Sequence, residues 1–292
     1  MSEPTPSTSG TRLQVVLPDE SPGMPVSTLV DLGVRAEELG ARTLWLPDHL
    51  LPPHPYGRTF GGVYEPLVTL GYLAARTRRV RLGTSVLVLP MRDPFTVAKQ
   101  VATLDRLSGG RFTLGVGVGW SREEFAAVGS DFSTRGVRTD EALALLRHLF
   151  EGEGAFEGRF HSYGRGVFEP RPNTRIRVMV GGVSDAALRR AAAWADEWQG
   201  LDPDPEAFGA ARERLLAAAG RPMETGVRMA WSGEEEGLEE AVARFRALSE
   251  AGADAVAVWF GDAEGFGERM ERFVEALGRR AEGAWGPAPA PA

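Results

Sequence analysis

Short apolar runs alternate with longer amphipathic segments along the chain. The short runs are rich in β-branched residues, which is typical of strands buried on both faces. Each is followed by a segment with apolar residues at helical spacing. The predicted strands cover residues 13–17, 43–47, 80–89, 111–118, 177–181, 197–201, 225–231 and 255–260, and the predicted helices cover residues 27–39, 65–77, 94–107, 137–150, 185–195, 205–219, 236–250 and 264–281.

A strand followed by a helix, repeated eight times, predicts an α/β fold of the (β/α)8 TIM-barrel type. A doubly wound open sheet is the rival architecture, but it usually stops at about five or six strands. The Gly-rich and aromatic stretch 151–175 breaks the alternation. We interpret it as an insertion after strand four that covers one end of the barrel.

The chain of 292 residues is long enough for one large barrel domain, which we assign to residues 11–282. Residues 1–10 are rich in Ser, Thr and Pro, and residues 283–292 are rich in Pro and Ala. Such compositions rarely form a packed core, so we predict that both segments are disordered.

Charge and cysteine content narrow the classes of function. The net charge is −7 and no basic segment stands out, which argues against a nucleic-acid partner. No apolar run is long enough to cross a membrane, and the N-terminus lacks the apolar core of a signal peptide. The absence of cysteine excludes disulfides and thiolate chemistry and fits a reducing compartment, so we expect a cytoplasmic location.

In barrels of this type, ligands bind at the carboxyl ends of the strands. Strand two ends in Asp48 and His49, strand four ends in Gly117-Val118-Gly119-Trp120, and strand five ends in Gly181-Gly182. The glycines would let the backbone approach a flat ligand closely. This mouth, rich in glycine and aromatic residues, predicts a site for a planar aromatic cofactor.

His49 is one of four histidines, and its place at a strand end favours a role as a proton shuttle. The alternative is that His49 only hydrogen-bonds a loop. Asp48 could orient the imidazole or could be a capping or loop acid, and both interpretations stay open. Because adjacent residues of an extended chain point apart, the pair argues against a metal site.

Gly181-Gly182 precedes the helix that begins at Asp185, an arrangement that can bind a phosphate through backbone N–H groups. The alternative is a tight turn in which Ser184 caps the helix. Arg135 and Arg138, at the start of the fourth helix, could clamp a polyanion. Their alternative is a surface pair that bridges to the acidic residues Asp140 and Glu141.

Several motifs follow one another in a fixed order: Trp45–His49, Val80–Leu87, Pro94-Phe95 with Lys99–Asp105, Leu107–Arg111, Leu114–Trp120, Arg122 with Glu124-Phe125, Arg135 with Arg138, Asp140 and Glu141, Gly181-Gly182 and Trp194–Asp196. Together they resemble the luciferase-like monooxygenase superfamily, in its coenzyme F420-dependent oxidoreductase branch. The resemblance runs from about Leu13 to about Asp262.

The resemblance implies a luciferase-like barrel with an insertion after strand four and a deazaflavin across its mouth. It implies a backbone bulge with a non-proline cis peptide at Ser85–Val86, and it places Asp48 and His49 beside the reactive ring. The cofactor-binding residues it implies are Thr84, Ser85, Val86, Gly117, Gly119, Trp120, Arg135, Arg138, Gly181 and Gly182.

One position departs from the branch. In its sugar-phosphate dehydrogenases, a glutamate proton donor follows the Gly-x-Gly-x-Gly stretch, whereas this chain has Trp120. Glu123 and Glu124 lie nearby but not at that position, which argues against sugar-phosphate oxidation. Trp120, together with Tyr56, Phe60 and Trp231, predicts a mouth suited to an apolar or planar substrate.

We therefore predict an F420-dependent oxidoreductase that moves a hydride between the deazaflavin C5 and a small organic substrate, with His49 as acid–base partner. The first alternative is an FMN-dependent two-component monooxygenase, which needs a separate flavin reductase. The second is a flavin-binding protein without turnover. We also expect a homodimer, as is common in the family.

Overall fold

The computed structural model describes residues 10–18, 23–54 and 62–278. The predicted terminal segments 1–10 and 283–292 lie outside these residues, except for Gly10. Tyr56 and Phe60, which were predicted to line the mouth, also lie outside them. These predictions stay predictions.

Strands and helices alternate along the described chain. The barrel strands are β1 (Arg12–Val16), β2 (Thr43–Leu46), β3 (Arg81–Thr84) with its short continuation β4 (Leu87–Val88), β5 (Phe112–Gly117), β8 (Arg177–Gly181), β9 (Glu197–Leu201), β10 (Glu224–Ala230) and β11 (Ala255–Trp259). The helices are α1 (Val26–Glu38), α2 (Pro66–Arg76), α3 (Pro94–Ser108), α4 (Arg122–Ala127), α5 (Arg135–Glu151), α6 (Asp185–Trp194), α7 (Pro205–Ala219), α8 (Leu238–Glu250) and α9 (Phe266–Ala276).

The strands pair in parallel with their neighbours in sequence, and the sheet closes on itself. Strand β11 returns to pair with β1, and β3 pairs with β5 across the bulged end of the third strand. Closure of eight parallel strands confirms the predicted TIM barrel. The carboxyl ends of all eight strands therefore meet at one mouth.

The helix that follows the third strand shows how local sequence sets the element boundaries. Asp93 caps α3 by accepting a hydrogen bond from the backbone N–H of Thr96, and Pro94 occupies the first turn. Gly109 ends the helix with a φ of 65°, a left-handed conformation that glycine adopts readily. These signals were legible in the sequence and fix the entry to β5.

The third strand is not continuous as predicted. It ends at Thr84, the Ser85–Val86 peptide bond is cis, and β4 then pairs only with β5. The cis peptide that the resemblance implies is thus present. The hydroxyl of Thr84 donates to the Gly115 carbonyl at 2.7 Å and accepts from the Gly115 N–H at 3.1 Å, so a side chain replaces ladder bonds at this point.

The Gly115 position tolerates no side chain. A Cβ atom there would lie 1.7 Å from the Thr84 carbonyl oxygen. We expect Gly115→Ala to reduce the free energy of unfolding by about 3 kcal/mol, the upper end for overpacking. Gly164→Ala is the matched control, because a Cβ there meets nothing within 4 Å. Urea unfolding measures both, and equal midpoints would refute the account.

Most of the core lies between the strands and the surrounding helices. A second, smaller apolar group fills the middle of the barrel interior and consists of Val16, Trp45, Met179 and Ala257. Val86 packs against this group from the mouth side. The interior is therefore a filled core on which a ligand can rest, as is usual for this fold.

The insertion after strand four lies along the flank of the barrel. It contains a hairpin of β6 (Phe156–Glu157) and β7 (Ser162–Tyr163), and the Glu141 carboxylate of α5 accepts from three consecutive backbone N–H groups of that hairpin. The Asp105 carboxylate of α3 binds the backbone N–H groups of Asn173 and Thr174. The insertion's described residues do not line the mouth cavity, so the prediction that it covers one end is wrong.

The Glu141 and Asp105 carboxylates hold the insertion in this place, because each satisfies backbone N–H donors that would otherwise need another partner.

No helix in the described ranges is both long enough and apolar enough to cross a membrane.

Candidate active site

A cavity of about 610 Å³ opens at the carboxyl ends of the strands, within the usual range for small-molecule sites. Most of its wall is apolar side chain or glycine backbone. Its lining residues are Pro47, Asp48, His49, Ser85, Val86, Val88, Gly117, Val118, Gly119, Trp120, Gly181, Gly182, Gln199, Gly200, Leu201, Asp202, Arg228, Met229, Ala230 and Trp259. In the described part of the chain, no three His, Asp or Glu side chains group as metal ligands.

Val86 forms the floor of this mouth cavity. A Cβ at Gly117 would lie 2.4 Å from one Val86 methyl group, and a Cβ at Gly181 would lie 2.7 Å from the other. These glycines were predicted to let the backbone approach a ligand closely. That reason is wrong, because Gly117 and Gly181 make room for the Val86 side chain, and Val86 itself lines the cavity.

Three hydrogen bonds fix the bulge below the mouth. The Ser85 hydroxyl donates to Gln199 Oε1 at 2.7 Å, its N–H donates to the Leu46 carbonyl at 2.8 Å, and its carbonyl accepts from Arg228 Nη1 at 3.1 Å. Ser85 and Val86 therefore hold their predicted places. Thr84 does not, since it is fully buried behind the cavity wall and bonded to Gly115.

His49 is held at the cavity wall by a carboxylate from another element. Its Nδ1 lies 3.3 Å from Oε2 of Glu124, and the side chains are 11% and 3% exposed. The other Glu124 oxygen accepts from the backbone N–H groups of Leu50 and Leu51. An Nδ1–H that donates to this carboxylate selects the tautomer in which Nε2 carries no proton.

Asp48 does not orient this imidazole. Its carboxylate is buried and accepts from the Val88 N–H at 2.8 Å and from Arg92 Nη2 at 2.6 Å. Of the two interpretations left open, the loop acid is therefore the one that the structure supports. The pair tethers the turn after β2 to the turn after β4, which positions the neighbouring His49.

Glu124 was not predicted as a site residue, yet it contacts His49. It lies in the short helix α4, whose N-cap Ser121 accepts from the Glu124 N–H. Ser121-x-x-Glu124 is the spacing of a capping box, and it directly follows the fourth strand. That signal was readable, but only the fold shows that the carboxylate reaches His49.

The aromatic residues divide between the rim and the core. Trp120 is 51% exposed, and its ring meets the His49 ring edge-on at a centroid distance of 6.0 Å. Trp231 is buried against Phe260 and Phe273 and does not line the mouth cavity, contrary to prediction. Trp259, which was not predicted, lines it instead.

A second cavity of about 320 Å³ adjoins the first, since both are lined by Gly117, Val118 and Gly181. The N-termini of α5 and α6 both border it, and helix N-termini favour anions. Ser184 lines it and also caps α6 by accepting from the Ala187 N–H. The capped turn, which was the alternative interpretation, is thus present, and the phosphate site stays a prediction.

The two predicted arginines separate. Arg135 lines the second cavity, and its Nε is buried without a hydrogen-bond partner among the described residues. Arg138 donates from Nε to the Thr134 hydroxyl at 2.9 Å, stacks on Phe160 and is not among the described residues that line either cavity. The prediction that Arg138 contacts the cofactor is therefore not supported by its position.

The acidic neighbours of these arginines also differ from the alternative interpretation. Asp140 pairs with Arg190 at 2.6 and 3.1 Å, and the Glu141 carboxylate binds the insertion. Arg190 lines the second cavity and was not predicted. It comes from α6, so only the folded chain brings it beside Arg135.

Several buried side-chain N–H donors have no hydrogen-bond partner among the described residues, and a bound ligand could satisfy them. In the described chain, four such side-chain atoms are Gln199 Nε2, Trp259 Nε1, Arg135 Nε and Arg244 Nε. The first three belong to residues that line the two cavities. An unpaired buried donor costs about 1–3 kcal/mol, which a ligand with acceptor oxygens would recover. A planar ring with carbonyl groups and a phosphate tail fits this set.

The chain matches the model of a known protein family over most of its length. The model of the luciferase-like monooxygenase family matches residues 8–248. The chain therefore belongs to this family, as its motifs predicted.

One sequence relative and two solved structures with the same fold are similar to this chain. An F420-dependent glucose-6-phosphate dehydrogenase of Microbacterium testaceum is 35% identical, with 65% of this chain and 56% of that protein covered. An F420-dependent secondary alcohol dehydrogenase in complex with an F420–acetone adduct has a TM-score of 0.77 at 18% identity, with 92% of this chain and 99% of that chain covered. The FMN-bound oxygenating constituent of 3,6-diketocamphane monooxygenase from Pseudomonas putida has a TM-score of 0.72 at 14% identity, with 92% and 98% covered.

Proposed function

We propose that this protein is an F420-dependent oxidoreductase that moves a hydride between the deazaflavin C5 and a small organic substrate. The observation that carries the proposal is the pair of adjoining cavities, which are lined by residues with buried, unpaired donors: Gln199, Trp259 and Arg135. The F420-dependent relatives support the choice of cofactor.

In this proposal, Ser85 and Val86 would support the flat ring, and Gln199 and Trp259 would supply hydrogen-bond donors to it. Arg135, Ser184 and the N-termini of α5 and α6 hold the phosphate. The bound deazaflavin supplies the hydride chemistry. The protein supplies position and an apolar wall that limits water, with Val86, Val88 and Trp120 as parts of that wall.

His49 is the proposed acid–base residue. Glu124 holds the Nδ1 side of the ring, so Nε2 takes the proton of an alcohol or returns one to a carbonyl oxygen. The buried carboxylate also stabilises the imidazolium that forms when the proton arrives. The pair thus supplies the proton transfer that must accompany hydride transfer at a carbon–oxygen bond.

The two arginines give a matched test of the anion site. We expect Arg135→Gln to weaken F420 binding about tenfold to a hundredfold, because one charge-assisted contact contributes about 1.5–3 kcal/mol. Arg138→Gln removes the same charge one helical turn away and should leave the affinity within about twofold. Quenching of F420 fluorescence measures both, and equal loss in the two variants would contradict the proposed phosphate site.

The FMN-dependent monooxygenase shares the same cavities, and the FMN-bound relative is the observation that keeps it as the second candidate. It requires oxygen and a reductase partner, whereas the F420 enzyme turns over without either. A small-molecule substrate, a homodimer, a cytoplasmic location and independence from nucleic acid and membranes stay predictions of the proposal.

A further inference from the structure

The amino ends of the strands, opposite the mouth, gather positive charge on an acidic protein. Arg12, Arg42, Arg81 and Arg177 are all half-buried there. They stand at or just before the first residues of β1, β2, β3 and β8. The sequence shows no such cluster, because each arginine comes from a different strand and only closure of the barrel brings them together.

The carboxylates at this end are already engaged. Glu224 accepts from Arg12 Nη1 at 3.0 Å and from Arg177 Nη2 at 2.9 Å. Glu197 is buried, bonds Gln14 and lies 3.8 Å from Arg177, and burial raises its pKa, so its negative charge is costly to maintain. Asp254, near Arg12, accepts from the N–H and hydroxyl of Thr225.

Two of the four guanidinium groups have no carboxylate contact among the described residues. Arg81 donates to the Thr113 hydroxyl and the Phe112 carbonyl, both neutral acceptors. Arg42 makes no side-chain hydrogen bond or ion pair within the described ranges. Burial, together with repulsion by Arg177 and Arg42, lowers the pKa of Arg81 to about 10.

The four arginines therefore carry more positive charge than the three nearby carboxylates balance, in a region that is partly shielded from water. Four arginines face three carboxylates, one of which is disfavoured in its charged form by burial. An anion placed among them would relieve the repulsion and receive forked N–H donors that match oxyanion geometry. Arg42 and Arg81 stand at the start of adjacent strands, where the Arg81 N–H donates to the Arg42 carbonyl at 3.0 Å. One small anion beside these two residues can therefore receive donors from both, so the fitting ligand is small and not an extended polyanion.

We infer that the amino-terminal end of the barrel binds one small tetrahedral oxyanion, of the phosphate or sulfate class, between Arg42 and Arg81. Arg12 and Arg177 flank the anion and stay paired with Glu224. The site is separate from the mouth and its phosphate cavity, so it stands whether or not F420 is the cofactor.

The test titrates inorganic phosphate against chloride at equal ionic strength by calorimetry, in an Arg135→Gln background that weakens the phosphate cavity at the mouth. Arg42→Gln should weaken the remaining phosphate binding about tenfold or more. Arg272→Gln removes one charge from an exposed position on α9 and should leave it unchanged. Equal affinity in the two variants, or phosphate no better than chloride, would overturn the inference.

A second measurement needs no variant at this site and covers the case in which Arg42→Gln fails to fold. Phenylglyoxal modification of the unmutated protein, mapped by peptide mass spectrometry, reports each arginine separately. Phosphate should slow the modification of Arg42 at least about threefold more than that of Arg272. Unprotected Arg42 would overturn the inference even if Arg135 is protected, because Arg135 reports the other cavity.

Discussion

Replacing His49 with alanine is expected to lower turnover about a hundredfold or more, the usual contribution of a positioned acid–base group. The F420 affinity should change less than about threefold, because the proposed phosphate and ring contacts come from other residues. Steady-state kinetics with the best substrate found, together with a fluorescence titration, separates the two effects. The loss belongs in kcat, since the proton moves only during the chemical step.

His148→Ala serves as the control for this prediction. His148 packs against Phe156 and Tyr163 on the flank and does not line the mouth cavity. Its variant should retain full turnover. Full turnover in His49→Ala as well would remove His49 from the mechanism.

The Glu124→Gln variant is expected to lower kcat about a hundredfold, because a misplaced catalytic group can lose about that factor. The amide keeps the size of the side chain but offers one acceptor oxygen where the carboxylate offers two. It therefore cannot serve the His49 ring and the Leu50 and Leu51 N–H groups equally. We also expect a loss of about 1–3 kcal/mol in the free energy of unfolding.

A spectroscopic measurement separates positioning from plain destabilisation. Nitrogen-15 NMR of the four histidines reports which ring nitrogen carries the proton. Glu124→Gln should redistribute the His49 tautomers and leave His148 unchanged. Glu123→Gln is the matched control, since Glu123 is the exposed neighbour on the same helix. The same kcat loss in both variants would contradict a positioning role for Glu124.

The barrel could be predicted from the sequence because its signals are local and repeated. Short apolar runs mark the barrel strands, and apolar residues at helical spacing mark the helices between them. Caps such as Asp93 and Gly109 mark helix ends. The break after Thr84 could not be derived from periodicity, because residues 80–89 are one apolar run. Only the resemblance implied the bulge there.

The candidate site was predictable in position and less so in contacts. Strand ends placed His49, Gly117 and Gly181 at the mouth, since parallel strands share one carboxyl edge. Side-chain partners come from distant elements, so Glu124 replaced Asp48 as the partner of the imidazole.

Neighbouring residues of similar chemistry were the least predictable part. Arg135 reaches a cavity, whereas Arg138, one turn later, binds Thr134 and stacks on Phe160. Trp231 is likewise buried in the core, whereas Trp259 lines the mouth cavity, because a strand-end side chain can enter either the mouth or the helix layer. Sequence spacing alone does not choose between the two sides.

The most direct measurement is a pair of titrations of the purified apo-protein, one with F420 and one with FMN, followed by fluorescence quenching. The account predicts an F420 dissociation constant at least about tenfold lower than that of FMN, a difference of about 1.4 kcal/mol. Tighter FMN binding would assign the protein to the oxygen-using enzymes on this scaffold. Binding of neither cofactor would contradict the proposed function itself.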